Sequence, residues 1–306
     1  MLDRQLIEDI ANRLRVGGES LIEKDWHVVR AIRVLAELDH GGARPVFSGG
    51  TSLSIGWGLI KRFSEDVDFK VAMPEAATPS KARTLRSAYR NKIITALGAA
   101  DFELAGTPLV GNKSTYFAAD FSYPSEFGPG PGLRPNLRIE MTFQTPALDP
   151  VERPIRSLVA QAQGHEPEVR TFFCVDPVET AADKLSALAW RVCVRERGGE
   201  DDDPTIIRHL HDLAALESRA IAVPAFVTLV ANATTADKGR GGNRVPENTV
   251  DRFLLMLEKL RNDRLWANEY DEFVHNVSFS GPGETISFNS ALDATERLVE
   301  LYRKRQ

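Results

Sequence analysis

A chain of 306 residues can bury one large core or two medium ones, and 42% hydrophobic with 26% charged residues is the balance of a globular protein. A net charge of −5 argues against indiscriminate binding to nucleic acid but leaves room for one basic face. Two widely separated cysteines, Cys174 and Cys193, offer neither a disulfide framework nor a zinc spacing, which points to a reducing cytoplasm.

The first ten residues carry charge throughout, so no secretory leader is expected, and no apolar run approaches the ~18 residues of a membrane span. Residues 1–15 read as a short amphipathic helix. Residues 19–38 read as a longer one, with Leu21, Ile22, Val28, Val29, Ile32, Leu35 and Leu38 near helical spacing and Gly41-Gly42 after its end. A short strand over 45–48 leads into the turn Gly49-Gly50-Thr51-Ser52, and a helix is expected to start at Thr51. Residues 66–71 form a second strand, 79–97 a helix, and 102–104, 114–121 and 136–143 three more strands. The last two are separated by a Pro/Gly-rich loop, EFGPGPGLRP. Beyond Pro150 the character changes. Residues 176–195, 205–217, 224–231, 250–260 and 291–304 read as helices, and 196–204 as a solvated acidic loop. The chain is thus expected to be α+β, with an α/β domain over 1–150 and a mainly helical domain over 151–306.

The most informative stretch is residues 46–71. Side chains two apart on a strand share a face, so Asp66 and Asp68 aim two carboxylates at one point. Hard oxygen ligands beside a glycine turn suit Mg²⁺, or Mn²⁺, with a polyphosphate. Gly49 and Gly50 would let backbone N–H groups approach phosphate oxygens, and a hydroxyl of Thr51 or Ser52 could add a donor. This combination points to a nucleoside triphosphate and to chemistry at phosphorus. Glu140 lies on the polar side of the alternating strand LRIEMTF, as a third carboxylate or as a solvated glutamate. Lys184 and Arg191 stand two turns apart on one helix face and could clamp a triphosphate, or simply form a solvated basic face. His209 and Asp212, three apart, could face the same cleft. Arg83, Arg86 and Arg90 make a basic stripe able to follow an RNA backbone, and KGRGGNR at 238–244 is a second basic segment. Either could equally be a plain solvated surface.

Taken in order, these motifs resemble the AbiEii/AbiGii family of nucleotidyltransferase-like toxins, which includes the MenT-type toxins. The glycine-glycine-hydroxyl turn is matched by Gly49-Gly50-Thr51, and the SxDIDF strand by Ser64-Glu65-Asp66-Val67-Asp68-Phe69, with valine for isoleucine. The KxxxxxxR motif is matched by Lys184 and Arg191. The DxxD motif is matched only at Asp212, with His209 where the first aspartate would stand. The segment over 22–35 resembles the family's helix before the glycine turn. The motifs span residues of roughly 20 to 216, and nothing beyond them is covered.

The resemblance implies a nucleotidyltransferase (polymerase-beta-like) fold with a small mixed sheet. It implies transfer of NMP from an NTP to the 3′ end of tRNA, within a toxin–antitoxin or phage-defence pair that includes a cognate antitoxin. Asp66 and Asp68 would hold the metal, and Gly49, Gly50, Thr51, Ser52, Lys184 and Arg191 the nucleotide. Asp212 or Glu140 would handle the proton of the attacking hydroxyl, and Ser64 would be a site of inhibitory phosphorylation. Two other readings stand beside this one. The first is nucleotidyl transfer to a small molecule, such as an aminoglycoside, or to a protein hydroxyl. The second is a non-catalytic NTP sensor.

Overall fold

The computed structural model describes residues 3–14, 18–130, 133–199, 202–278 and 285–305. Met1, Leu2 and Arg15 of the expected first helix, Pro131 and Gly132 of the Pro/Gly-rich loop, and Glu200 and Asp201 of the acidic stretch lie outside the described residues. Two units divide the chain, Met1–Val175 and Asp176–Gln306.

The first unit runs α1 (Arg4–Leu14), α2 (Glu19–Ala36), β1 (Arg44–Ser48), α3 (Gly49–Thr51), β2 (Asp66–Ala72), α4 (Pro79–Gly98), β3 (Glu103–Gly111), β4 (Tyr116–Ser122), β5 (Leu137–Thr142), β6 (Val151–Ile155), α5 (Leu158–Gln163) and β7 (Val169–Cys174). The short α3 continues as a π-helical turn over Ser52–Gly56. The strands form one mixed sheet in the order β3-β4-β5-β2-β1-β7-β6. β2 lies antiparallel to β1 and parallel to β5, and so occupies the middle of the sheet.

Alternation on β2 decides the layers. Val67, Phe69 and Val71 point one way, into a core with Ile139 and Met141 of β5 and Phe117 of β4. Val28, Val29, Ile32 and Leu35 of α2 and Tyr89, Ile93 and Leu97 of α4 close that core. Asp66, Asp68 and Lys70 therefore share the opposite face.

The observed division falls later than the expected one at residue 150, because β6 and β7 belong to the sheet. β7 runs parallel beside β1, with Phe47 opposite Cys174, and β6 pairs antiparallel with β7. Both strands and α5 escaped the sequence pattern. β6 carries Pro154, which an edge strand tolerates. β3 extends well past the three residues expected, as an exposed edge strand whose Gly106 and Pro108 hide any alternation.

The second unit runs α6 (Pro177–Val194), α7 (Arg208–Ala222), α8 (Phe226–Ala236), α9 (Thr249–Asn262), α10 (Leu265–Val277) and α11 (Phe288–Lys304); α7, α8 and α9 pack on α6, and α11 packs on α7 and α9. Asp176 caps α6 by accepting from Val178 N at 2.8 Å, with Pro177 at the first helical position. Ala181, Leu185, Leu188 and Ala189 are fully shut from solvent. Small residues in that stripe let α7, α8 and α9 approach α6 closely. α10 was not read from sequence, since charges and an Asn break its apolar spacing. No helix among the described residues is long and apolar enough to cross a membrane.

Candidate active site

The glycine turn sits directly against the carboxylate strand. The antiparallel register places Ser48 opposite Asp68, so the chain turns at Gly49 beside the Asp68 side chain. Gly49 has φ +73, and a Cβ there would lie 2.0 Å from Asp68 Oδ2. A Cβ on Gly50 would lie 2.8 Å from the Arg62 guanidinium and 2.9 Å from Ser64 Oγ. Only a backbone without side chains fits this close approach. The structure thus brings Gly49, Gly50, Ser64 and Asp68 together, with Asp66 on the same face of β2.

The hydroxyls of the turn point elsewhere than expected. Thr51 is buried, and its hydroxyl hydrogen-bonds to the carbonyls of Asp66 and Ser64, the latter at 3.1 Å. It fastens the turn to the start of β2 and offers no proton to a phosphate. Ser52 is also buried, at the head of the π-helical turn.

Glu140 lies on β5 directly opposite Asp68, and Arg138 opposite Asp66. Paired residues of neighbouring strands share a face, so the carboxylates of Asp66, Asp68 and Glu140 occupy one surface. Tyr116 of β4 donates to Glu140 Oε2 at 2.9 Å, and Arg138 Nε donates to Oε1 at 2.9 Å. Burial, reinforced by Glu140, pushes the Tyr116 phenol well above its ordinary pKa, which keeps it a donor.

Three residues missed in the sequence organise the other end. Arg134 Nη1 donates to Asp66 Oδ1 at 2.5 Å, and its backbone N–H donates to Glu65 Oε2 at 2.9 Å. Lys24, 1% exposed, donates to that same Glu65 oxygen at 2.5 Å and to the Arg134 carbonyl at 2.6 Å. Burial pulls the Lys24 ammonium below its ordinary pKa, against the opposing attraction of Glu65. One signal was available in the sequence. Glu23, Lys24 and Asp25 interrupt the apolar spacing of α2 with consecutive charges, and all three are buried.

The basic stripe does not survive as a stripe. Arg83 is exposed and Arg86 half-buried, but Arg90 is buried and donates to Ser114 Oγ at 2.8 Å. Its face of α4 turns inward because Tyr89, Ile93 and Leu97 join the core.

In the helical unit, Lys184 Nζ pairs with Asp212 Oδ2 at 2.8 Å, with both side chains buried. Arg191, two turns further along α6, keeps a half-buried guanidinium 3.6 Å from Asp203. Both ring nitrogens of His209 are closed to solvent without a hydrogen bond. Burial, then Lys184, Arg191 and Arg208, hold its pKa well below the ordinary value, so it contributes no charge where the family motif has an aspartate.

The donor set fits a hard divalent cation. Asp66 and Asp68 supply carboxylate oxygens from one strand face, and a guanidinium already answers the charge of Asp66. No group of three or more His, Cys, Asp or Glu side chains able to hold a metal occurs among the described residues. Phosphate and water oxygens would complete the coordination, as Mg²⁺ prefers.

The family model described as nucleotidyl transferase AbiEii toxin, type IV toxin–antitoxin system, matches residues 33–294. No curated protein matches the chain in sequence. Among solved structures, MenT4, a nucleotidyltransferase toxin from Mycobacterium tuberculosis H37Rv, is similar with a TM-score of 0.58 at 20% identity. That match covers 99% of this chain and 89% of that one, and it carries the fold: a mixed sheet with many helices. Matched by the family model over most of its length, the chain belongs to the AbiEii family of nucleotidyltransferase toxins of type IV toxin–antitoxin systems.

Proposed function

We propose that this enzyme transfers a nucleoside monophosphate from an NTP to the 3′ end of tRNA with Mg²⁺ (or Mn²⁺) bound by Asp66 and Asp68, and that an antitoxin restrains it. The observation that carries the reading is the approach of the Gly49-Gly50 turn to the Asp66/Asp68 face. Nucleotidyltransferases generally use an NTP and a divalent metal. When bound, the metal would draw negative charge from the triphosphate at the α-phosphorus. The backbone amides of the turn bind phosphate oxygens. The acceptor hydroxyl oxygen bonds to the α-phosphorus, the bond to the bridging oxygen breaks, and pyrophosphate leaves.

The hydroxyl proton passes to a carboxylate. Glu140 is the better placed of the two candidates, since its side chain is 28% exposed and shares a face with Asp68. Asp212 is fully buried against Lys184 and acts by holding that ammonium in place. The tRNA acceptor rests on the likeness to MenT-type toxins. Within the first unit, Arg83 is the member of the α4 stripe exposed to meet an RNA backbone.

Ser64 is the proposed regulatory site. It is half-buried against Gly50, and a phosphate there adds about −1.5 to −2 charges beside two metal carboxylates. Ser64→Ala is expected to escape inhibition by a phosphorylating antitoxin; equal sensitivity of this variant removes the assignment.

The decisive test incubates purified protein with total tRNA, Mg²⁺ and each α-labelled NTP, with Asp66→Ala as control. Label in tRNA that the variant lacks supports the reading and identifies the base. Label in protein, or transfer only to an aminoglycoside, overturns the tRNA acceptor. No transfer to any acceptor, with NTP binding intact, turns the protein into a sensor.

A further inference from the structure

The basic segment over 238–244 has no part in the reading above, and the structure folds it onto the C-terminal half of α6. Gly241, at φ +78, runs so close that a Cβ would lie 2.3 Å from Val194 Cγ1 and 2.6 Å from Val245 Cγ2. Arg244 donates to the Val194 carbonyl at 3.0 Å and to Glu196 at 2.7 Å. Between this segment and α6 lies a cavity of about 580 Å³, lined by Trp190, Arg191, Arg195 and Arg244 among others. That is within the size range of small-molecule and cofactor pockets.

Trp190 is the informative wall. It is half-buried, and its Nε1 is shut from solvent without a hydrogen bond. The guanidinium carbons of Arg191 and Arg240 stand 5.3 Å and 5.5 Å from its ring centroid. Arg195 is 4% exposed and saturated by Asp202 and Glu269, so it is structural. Arg191, Arg240 and Arg244 are partly exposed and each faces a carboxylate: Asp203 at 3.6 Å, Asp237 at 2.9 Å and Glu196 at 2.7 Å. Exposed pairs of this kind stabilise little, so a guanidinium can exchange its carboxylate for a phosphate at small cost.

We propose that this cavity of the helical unit seats an unpaired nucleotide of the RNA acceptor, its base stacked on Trp190 and its flanking phosphates on Arg240 and Arg244. Stacking on an aromatic face among arginines is how single-stranded RNA is held without regard to sequence. This inference rests on the RNA nucleotidyl-transfer reading.

The test uses the full chain and a short fluorescein-labelled single-stranded RNA of the tRNA acceptor-end sequence, followed by anisotropy. NTP binding is followed separately by calorimetry, and folding by thermal melting. Trp190→Ala is expected to weaken RNA binding about tenfold, with Trp190→Phe retaining most of it. Arg240→Gln/Arg244→Gln is expected to flatten the salt dependence of RNA binding. NTP affinity stays unchanged in all three. Where Trp190→Ala fails to fold, the exposed double variant decides. RNA binding undiminished in the folded variants, or a loss confined to NTP affinity, overturns the inference. If wild type labels tRNA while these variants bind RNA normally, only this inference falls; if wild type labels no RNA, the reading beneath it falls.

Discussion

Position 49 tolerates no side chain, for two reasons that add. Its φ of +73 is the left-handed region, and Asp68 Oδ2 stands where a Cβ would be. Gly49→Ala is therefore expected to lose stability by about 1–3 kcal/mol and to displace Asp68, so that nucleotidyl transfer falls with it. Urea melts and the tRNA-labelling assay measure the two effects. Arg134 acts on the same face by answering the charge of Asp66. A metal ion must compete with that half-exposed guanidinium, so Arg134→Ala is expected to lower the half-saturating Mn²⁺ concentration about threefold to fivefold. Free Mn²⁺ counted by its EPR signal reads this directly, and an unchanged titration would show that Asp66 binds metal without releasing Arg134. The pairing of Lys24 and Arg134 could not be read from sequence, because the two are 110 residues apart and meet only in the folded chain.

Among the elements, α2 carries an acid in an apolar setting. Asp25 accepts from Leu158 N of α5 at 2.6 Å, and burial, with Glu168 nearby, raises its pKa from 3.8 to about 7. The folded protein keeps a proton there that the unfolded chain gives up. The stabilisation from this group is therefore complete below pH 3.8 and is lost as the pH rises through about 7. Asp25→Asn is expected to remove that slope and to raise stability at pH 8, by at most about 4 kcal/mol, as measured by melts across the pH range. α6 and α7 share the opposite case, a buried pair in which Lys184 and Asp212 need each other. Asp212→Ala removes the carboxylate that the buried Lys184 ammonium faces at 2.8 Å and is expected to cost about 3–5 kcal/mol in a denaturant melt. Glu140→Gln, on a partly exposed face, is expected to leave the melt unchanged while lowering kcat about 10²-fold. Equal melts for the two variants would contradict these assignments of structural and chemical roles.

Across the whole molecule, the order of most elements was legible because amphipathic spacing is local. The turn at Gly49-Gly50 and the shared face of Asp66 and Asp68 followed from the sequence alone, since a strand's period of two depends on nothing distant. So did the family, through motifs whose order and spacing survive in one dimension. The extent of the sheet was not legible. β7 joins it by pairing with β1 across more than a hundred residues, β6 joins by pairing with β7, and they are edge or near-edge strands without clean alternation. Nor could the sequence tell which charges are exposed. Arg83, Arg86 and Arg90 repeat with helical spacing, yet packing of α4 on the sheet buries the last of them. Thr51 carries a hydroxyl in the expected place, but the return of β2 turns it onto backbone carbonyls. The sequence by itself determined which residue types lie near one another along the chain, and hence the chemistry on offer. The tertiary structure alone decided which of those groups already have a partner, because burial and pairing depend on segments that meet only when the chain is folded.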